Sequence, residues 1–264
     1  MQEPLFERDG DRVLPTRLTA GPWDPDHCHG GAPAALLAHL VETAPTQVPM
    51  ATVRLTIELL RPVVRAPLDC SVQVLREGRR VQLVESRLTD GDGVVVTRCT
   101  ALRIRTTEVD LPEGVDSDEP PPCPGPSELG RYVGGAQWPR GFHEALDLRV
   151  RDGRINQLGP AVAWIRLLSP VLPDTPISPL SRAAAAADFG NGVSSPLPMG
   201  PYLFINPDLT LDLHRAPKGA WIGLQAATDV DRRGTGLTTS RLYDASGRIG
   251  TGLQSLLVDR PVPA

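Results

Sequence analysis

The chain has 264 residues, 41% of them hydrophobic and 22% charged, with a formal net charge of −4. That is enough for one large domain or two fused ones, each able to bury a core. The acidic balance argues against a nucleic-acid binder, which needs a basic face, and no apolar run approaches the ~20 residues of a membrane-spanning helix.

The N-terminal stretch Met1–Arg8 lacks the basic-then-apolar pattern of a signal segment, so a cytoplasmic protein is expected. The four cysteines, Cys28, Cys70, Cys99 and Cys123, are scattered without a CxxC pair and read as reduced thiols. His27-Cys28-His29 places two histidines two apart, but no third or fourth ligand follows at useful spacing, so no metal is expected. Trp23 and, later, Trp221 read as core residues or pocket walls.

Gly30–Ala44 (GGAPAALLAHLVETA) is rich in Ala and Leu and predicts a helix. Residues 54–62 (RLTIELLRP) alternate apolar and polar positions and predict a half-buried strand. Residues 86–97 (SRLTDGDGVVVT) place an Asp/Gly turn between extended runs, a hairpin signal. Residues 107–127 then hold six prolines and six acids with no Lys or Arg, a composition that resists helix and sheet alike. The chain is accordingly divided into 1–106, a linker at 107–139, and 140–264.

In the second half a helix is predicted to start near Ser178–Ser181, run through Ala183–Ala187 and stop at Gly190-Asn191-Gly192. Asn206-Pro207 precedes a strand at 208–216 (DLTLDLHRA), and 240–251 (SRLYDASGRIGT) gives a second hairpin. The two halves repeat each other. At a constant offset of 154, residues 54–62 and 208–216 share four of nine positions, and 86–97 and 240–251 share six of twelve. Each half reads as a strand, a helix and four further strands, which is an α+β architecture with a helix packed on an antiparallel sheet.

Several motifs carry this pattern further. His29-Gly30-Gly31 opens the first helix, followed by Glu58–Pro62 (ELLRP) and Val72–Gly78 (VQVLREG). The second half has Ala187-Asp188-Phe189, Asp208–Arg215 (DLTLDLHR) and Gly252-Leu253-Gln254. In their order and spacing these resemble the double-hotdog acyl-CoA thioesterase family, of the thioesterase II type, over nearly all of both halves. The resemblance implies a double hotdog, an acyl-CoA or related acyl-thioester substrate, and hydrolysis without metal, cofactor or covalent intermediate. It also implies a water-activating trio, which falls on Asp188, Asn206 and Gln254. Asn206 departs from the hydroxyl residue usual at its place, although a carboxamide can both donate to and accept from a water.

On chemistry alone, Asp188 is a candidate general base, and Asn206 and Gln254 could hold the water. The first-half residues at the same offset, Ala34, Thr52 and Thr100, do not ionise near neutral pH, so if one half does the chemistry it is the second. Gly30 and Gly31 could offer their amides at a helix N-terminus to a developing oxyanion, with His29 lining the pocket. Read by residue type only, the same positions are a helix cap, a C-terminal turn former, a turn pair and a solvated strand residue. His214, opposite apolar Leu60 in the repeat, is expected to pack in its strand. Arg61 and Arg215 are expected to be paired surface charges. There is no GxSxG elbow, and Gly234-Thr235-Gly236 is only a fragment of a dinucleotide fingerprint.

Two other functions remain open from the sequence: a non-hydrolytic acyl-thioester binder, and a hotdog hydratase or dehydratase. Open sheet edges also lead us to expect a homodimer.

Overall fold

A computed structural model describes residues 2–115, 125–132, 140–150 and 158–261. Cys123 and parts of the predicted linker lie outside the described residues.

Among the described residues, a single long sheet carries both repeats. The first contributes β1 (Phe6–Asp9), β2 (Arg12–Pro15), β3 (Met50–Leu59), β4 (Leu68–Arg76), β5 (Val81–Thr89) and β6 (Val95–Arg105). Next come β7 (Gly130–Arg131), which falls inside the predicted 107–139 segment, and β8 (Leu146–Val150). The second repeat adds β9 (Ala161–Leu167), β10 (Leu203–Ile205), β11 (Asp208–Leu213), β12 (Ile222–Val230), β13 (Thr235–Asp244) and β14 (Gly247–Asp259). Their order is β1-β2-β4-β5-β6-β3-β11-β14-β13-β12-β9-β8-β7, with β10 on β14.

That order repeats outward from its centre. The run β2-β4-β5-β6-β3 is mirrored by β9-β12-β13-β14-β11, and β4 and β12 coincide at the offset of 154. The halves meet where β3 pairs antiparallel with β11, Glu58 opposite Asp208 and Arg54 opposite Asp212. The pattern is a double hotdog, with two helix-and-sheet units fused through one continuous sheet.

The helices pack against the sheet. Helix α1 (Gly31–Thr43) is buried over most of its length, so it needs the small, good helix formers that the sequence provides. Its C-terminal carbonyls, at Val41 and Ala44, receive the Arg103 guanidinium from β6. Helix α2 (Pro179–Ala187) has Ser178 as its N-cap, accepting from the Ser181 amide at 3.0 Å, and Pro179 in its first turn. The buried alanines Ala183–Ala187 bring α2 directly against α1, where Ser181 Oγ donates to the Ala35 carbonyl at 3.0 Å. At this crossing a Cβ on Gly31 would lie 2.9 Å from the Ala185 carbonyl oxygen and 2.6 Å from Phe142.

The second helix departs from expectation. It ends at Ala187, with Asp188 as its C-cap, and the predicted stop at the glycines is instead a short helix α3 (Gly190–Ser194). Gly190 is selected by proximity, because a Cβ there would sit 2.6 Å from Gln254 Oε1 and 2.7 Å from Ser240 Oγ. His214 is exposed rather than packed, because β11 ends at Leu213.

Candidate functional site

The α1 N-terminus, the α2–α3 junction and the stretch before β11 converge on one place. The segment leading to α1 is pinned on two sides: Cys28 N–H donates to the Val63 carbonyl (2.8 Å) and His29 N–H to the Thr19 carbonyl (2.7 Å). This fixes His29 at the mouth of the helix. Asp188 arrives from the other repeat, because α2 stops one residue before it. Asn206 arrives between β10 and β11.

Asp188 is 4% exposed, and both carboxylate oxygens are engaged. Oδ1 accepts from Asn206 Nδ2 at 2.8 Å, and Oδ2 lies 3.0 Å from His29 Nδ1. A Cβ on Gly30 would come within 2.9 Å of Oδ2, so glycine there lets the helix mouth and the carboxylate meet. Asn206 Nδ2 also reaches the Asp208 carbonyl at 3.3 Å.

Gln254 belongs to the same cluster but faces inward. It is 1% exposed, and Asn191 N–H donates to its Oε1 at 3.0 Å. Its Nε2 donates to the Asp188 backbone carbonyl at 3.2 Å. It therefore staples the α2–α3 junction from the Asp188 carbonyl to the Asn191 amide, and the cavity described below is lined by Asp188 and Asn206 without it. The two glycines also divide. Gly31 N–H donates to His29 Nδ1 at 3.1 Å, whereas the Gly30 amide has no acceptor among the described residues.

Two aromatic rings that the sequence did not single out as site residues hold the histidine. Phe189 stacks on the His29 ring with centroids 4.7 Å apart, and Phe142 lies tilted against it at 4.9 Å. Phe189 was legible as a neighbour of Asp188. Phe142 carries no such signal, and its place is set by a backbone bond from its N–H to the Ala20 carbonyl at 3.0 Å.

These groups sit in a cavity of about 390 Å³ between the repeats, walled by side chains such as Leu59, Val63, Met199 and Phe204. Trp23, 41% exposed, stands at its rim with its ring edge-on to Phe204. Tyr132 and His143 also line it, and burial pushes the His143 imidazole below its ordinary pKa. Cys28 borders the cavity as a thiol whose pKa burial pushes up to about 12. Arg61 lies exposed at the rim with no acidic partner among the described residues, unlike the pair expected. Arg215 does pair, donating to the buried Asp244 at 2.8 Å. His27 is drawn to Asp24 at 3.1 Å, and no metal-ligand cluster occurs among the described residues. No helix among them is long and apolar enough to cross a membrane.

An apolar cavity with a buried carboxylate in its wall, set between two fused hotdogs, is compatible with a hydrolase that acts on acyl thioesters. Comparison with known proteins agrees. Residues 19–104 match the family model of the acyl-CoA thioesterase N-terminal domain, and residues 116–258 match that of the C-terminal domain. The chain belongs to the acyl-CoA thioesterase family and is a thioester hydrolase.

Solved structures agree on the fold. A hotdog-fold protein of unknown function from Alicyclobacillus acidocaldarius superposes with a TM-score of 0.73 at 19% identity, covering 97% of this chain and 96% of that one. An acyl-CoA thioesterase II from Mycobacterium marinum gives 0.65 at 19% identity over 88% and 89% of the two chains. The tesB protein of Mycobacterium avium subs paratuberculosis gives 0.67 at 18% over 96% and 95%. No curated protein matches the chain.

Proposed function

We propose that the protein hydrolyses acyl-CoA, or a closely related acyl thioester, by a water that Asp188 activates. The observation that carries this reading is the Asp188 carboxylate, buried at the end of an apolar cavity and oriented by Asn206 at 2.8 Å. The acyl chain lies among the apolar walls, and its carbonyl reaches the α1 N-terminus. There the Gly30 amide and the positive end of the helix dipole stabilise the oxyanion. Asp188 takes a proton from water as the water oxygen attacks the carbonyl carbon. The Asn206 carboxamide oxygen, left over by the bond from Nδ2, accepts the water's other hydrogen. Gln254 acts as a positioning residue, because its bonds hold the peptide that presents Asp188. Arg61, at the rim, supplies a cation for the phosphates of the CoA arm.

The test is thiol release from acyl-CoAs of short to long chain by the wild type and by Asp188→Asn. A fall of ~100-fold or more is expected, in the range of general-base loss. Release by the variant within about threefold of wild type would remove Asp188 from the mechanism. Tight acyl-CoA binding by the wild type with no release would identify a binder instead.

A second reading has one observation in its favour. The His29–Asp188 contact of 3.0 Å is the kind of acid–base pair that a hotdog hydratase needs. Loss of enoyl-CoA absorbance without thiol release would select it.

A further inference from the structure

Thioester hydrolysis has two proton transfers to arrange, one at the attacking water and one at the departing sulfur. Asp188 serves the first. We propose that His29 serves the second, as the catalytic acid that protonates the leaving thiolate through a relay from Asp188. This inference rests on the reading of Asp188 as the base.

The geometry at His29 Nδ1 carries the argument. Nδ1 has two close neighbours, the Gly31 N–H at 3.1 Å and Asp188 Oδ2 at 3.0 Å. An amide can only donate, so Nδ1 bears the lone pair and the ring proton resides on Nε2. A bare Nδ1 and a carboxylate oxygen are two acceptors facing each other with no proton between them. The contact becomes a hydrogen bond when Asp188 gains a proton, and along it Oδ2 can pass that proton to Nδ1. Nε2 has no protein partner among the described residues, and His29 lines the cavity. Phe189 stacks on the imidazole and Phe142 lies tilted beside it, with the two phenyl centroids 5.9 Å apart, so the pair fixes the ring from one side.

The steps balance as follows. Water bonds to the acyl carbon and gives one proton to Asp188 Oδ2. On collapse of the tetrahedral intermediate the C–S bond breaks and its electron pair leaves with sulfur. Nε2 delivers its proton to that sulfur, and Nδ1 takes the proton from Oδ2. The products are the carboxylic acid and the thiol. Solvent entering after product release returns the imidazole to its starting tautomer.

An acid matters most when the leaving thiolate is basic. The test uses one acyl group on two thiols, as an N-acetylcysteamine thioester and as an S-phenyl thioester. His29→Asn retains an acceptor for the Gly31 amide but cannot transfer a proton. We expect kcat/KM to fall ~100-fold on the alkyl thioester and less than about fivefold on the aryl one, as loss of a general acid predicts. His29→Gln gives the same split and carries the comparison should His29→Asn fail to fold. Equal losses on both substrates would overturn the inference, whereas Asp188→Asn is expected to lose activity on both alike. Wild-type rates in Asp188→Asn would overturn the base assignment and the relay with it. Equal His29 losses beside an inactive Asp188→Asn would overturn the relay alone.

Discussion

Gln254→Leu separates a positioning role from direct contact with the reacting water. Leucine roughly preserves volume in a site that is 1% exposed, but it removes both hydrogen bonds of the carboxamide. The Asn191 amide, in the first turn of α3, has no acceptor within its own helix, and its residue is 8% exposed. Leaving a buried donor unsatisfied costs about 1–3 kcal/mol, and losing the bond to the Asp188 carbonyl adds about 0.5–1.5 kcal/mol. The sum centres near 3 kcal/mol, or a Tm lowered by about 6–12 °C at roughly 2–4 °C per kcal/mol for a chain of this size. Because the Asp188 peptide loses its anchor, kcat should fall while KM changes little. Thermal unfolding followed by tryptophan fluorescence, beside steady-state kinetics, reads both effects. A Tm within about 2 °C of wild type together with a hundredfold loss of kcat would refute the staple. It would mean that Gln254 touches the water itself.

Asp244 gives a prediction in pH. Burial alone would raise its pKa, but the Arg215 guanidinium and the amides of Lys218 and Ser246 outweigh that and hold it below the ordinary 3.8. A depressed folded-state pKa stabilises the protein above the ordinary carboxylate range and loses that contribution as pH falls through the folded value. The stability gap between wild type and Asp244→Asn should therefore stay level from about pH 8 to 5 and close under stronger acid. Chemical denaturation at stepped pH measures it, and a gap that widens on acidification would contradict the sign. The thiols give another test. Burial raises Cys28 and Cys99 to about 12 and Cys70 to about 11, so little thiolate exists at pH 8. Peptide mapping after iodoacetamide treatment should find these three unmodified in the native protein and alkylated in urea. Alkylation of native Cys28 with loss of thiol release would be the contrary result.

The repeat was legible because its signals are local. Asp/Gly turns and alternating strands recur at the offset of 154, and β4 and β12 fall on it residue for residue. Asp188 and Asn206 were reached only through the family resemblance, and the fold brings them within 2.8 Å of each other. What depends on atoms distant in sequence was not legible. By residue type Gln254 looked like a solvated strand residue and by resemblance a holder of the water, yet its partners are backbone groups 63 and 66 residues away. The break between α2 and α3 follows from a contact of Gly190 with β13 and β14, which helix-stop rules do not encode. His214 was expected to pack because its counterpart, Leu60, is apolar. Both residues stand one position past the ends of β3 and β11, and both are exposed.

At the β3–β11 seam Thr56 faces Thr210, and the two are the same position of the repeat, so a local two-fold axis runs between them. Two separate chains meeting across such an axis would obey mass action, and their shared site would dissolve on dilution. Here His29 and Gly30 come from one repeat and Asp188 from the other, yet all belong to one molecule. Each half meets the other at an effective concentration on the order of millimolar, however dilute the protein. Turnover per molecule should then be independent of protein concentration. The tether also frees the two copies to differ. Where one repeat keeps Asp188 the other carries a buried alanine, Ala34, an asymmetry that no pair of identical chains can adopt.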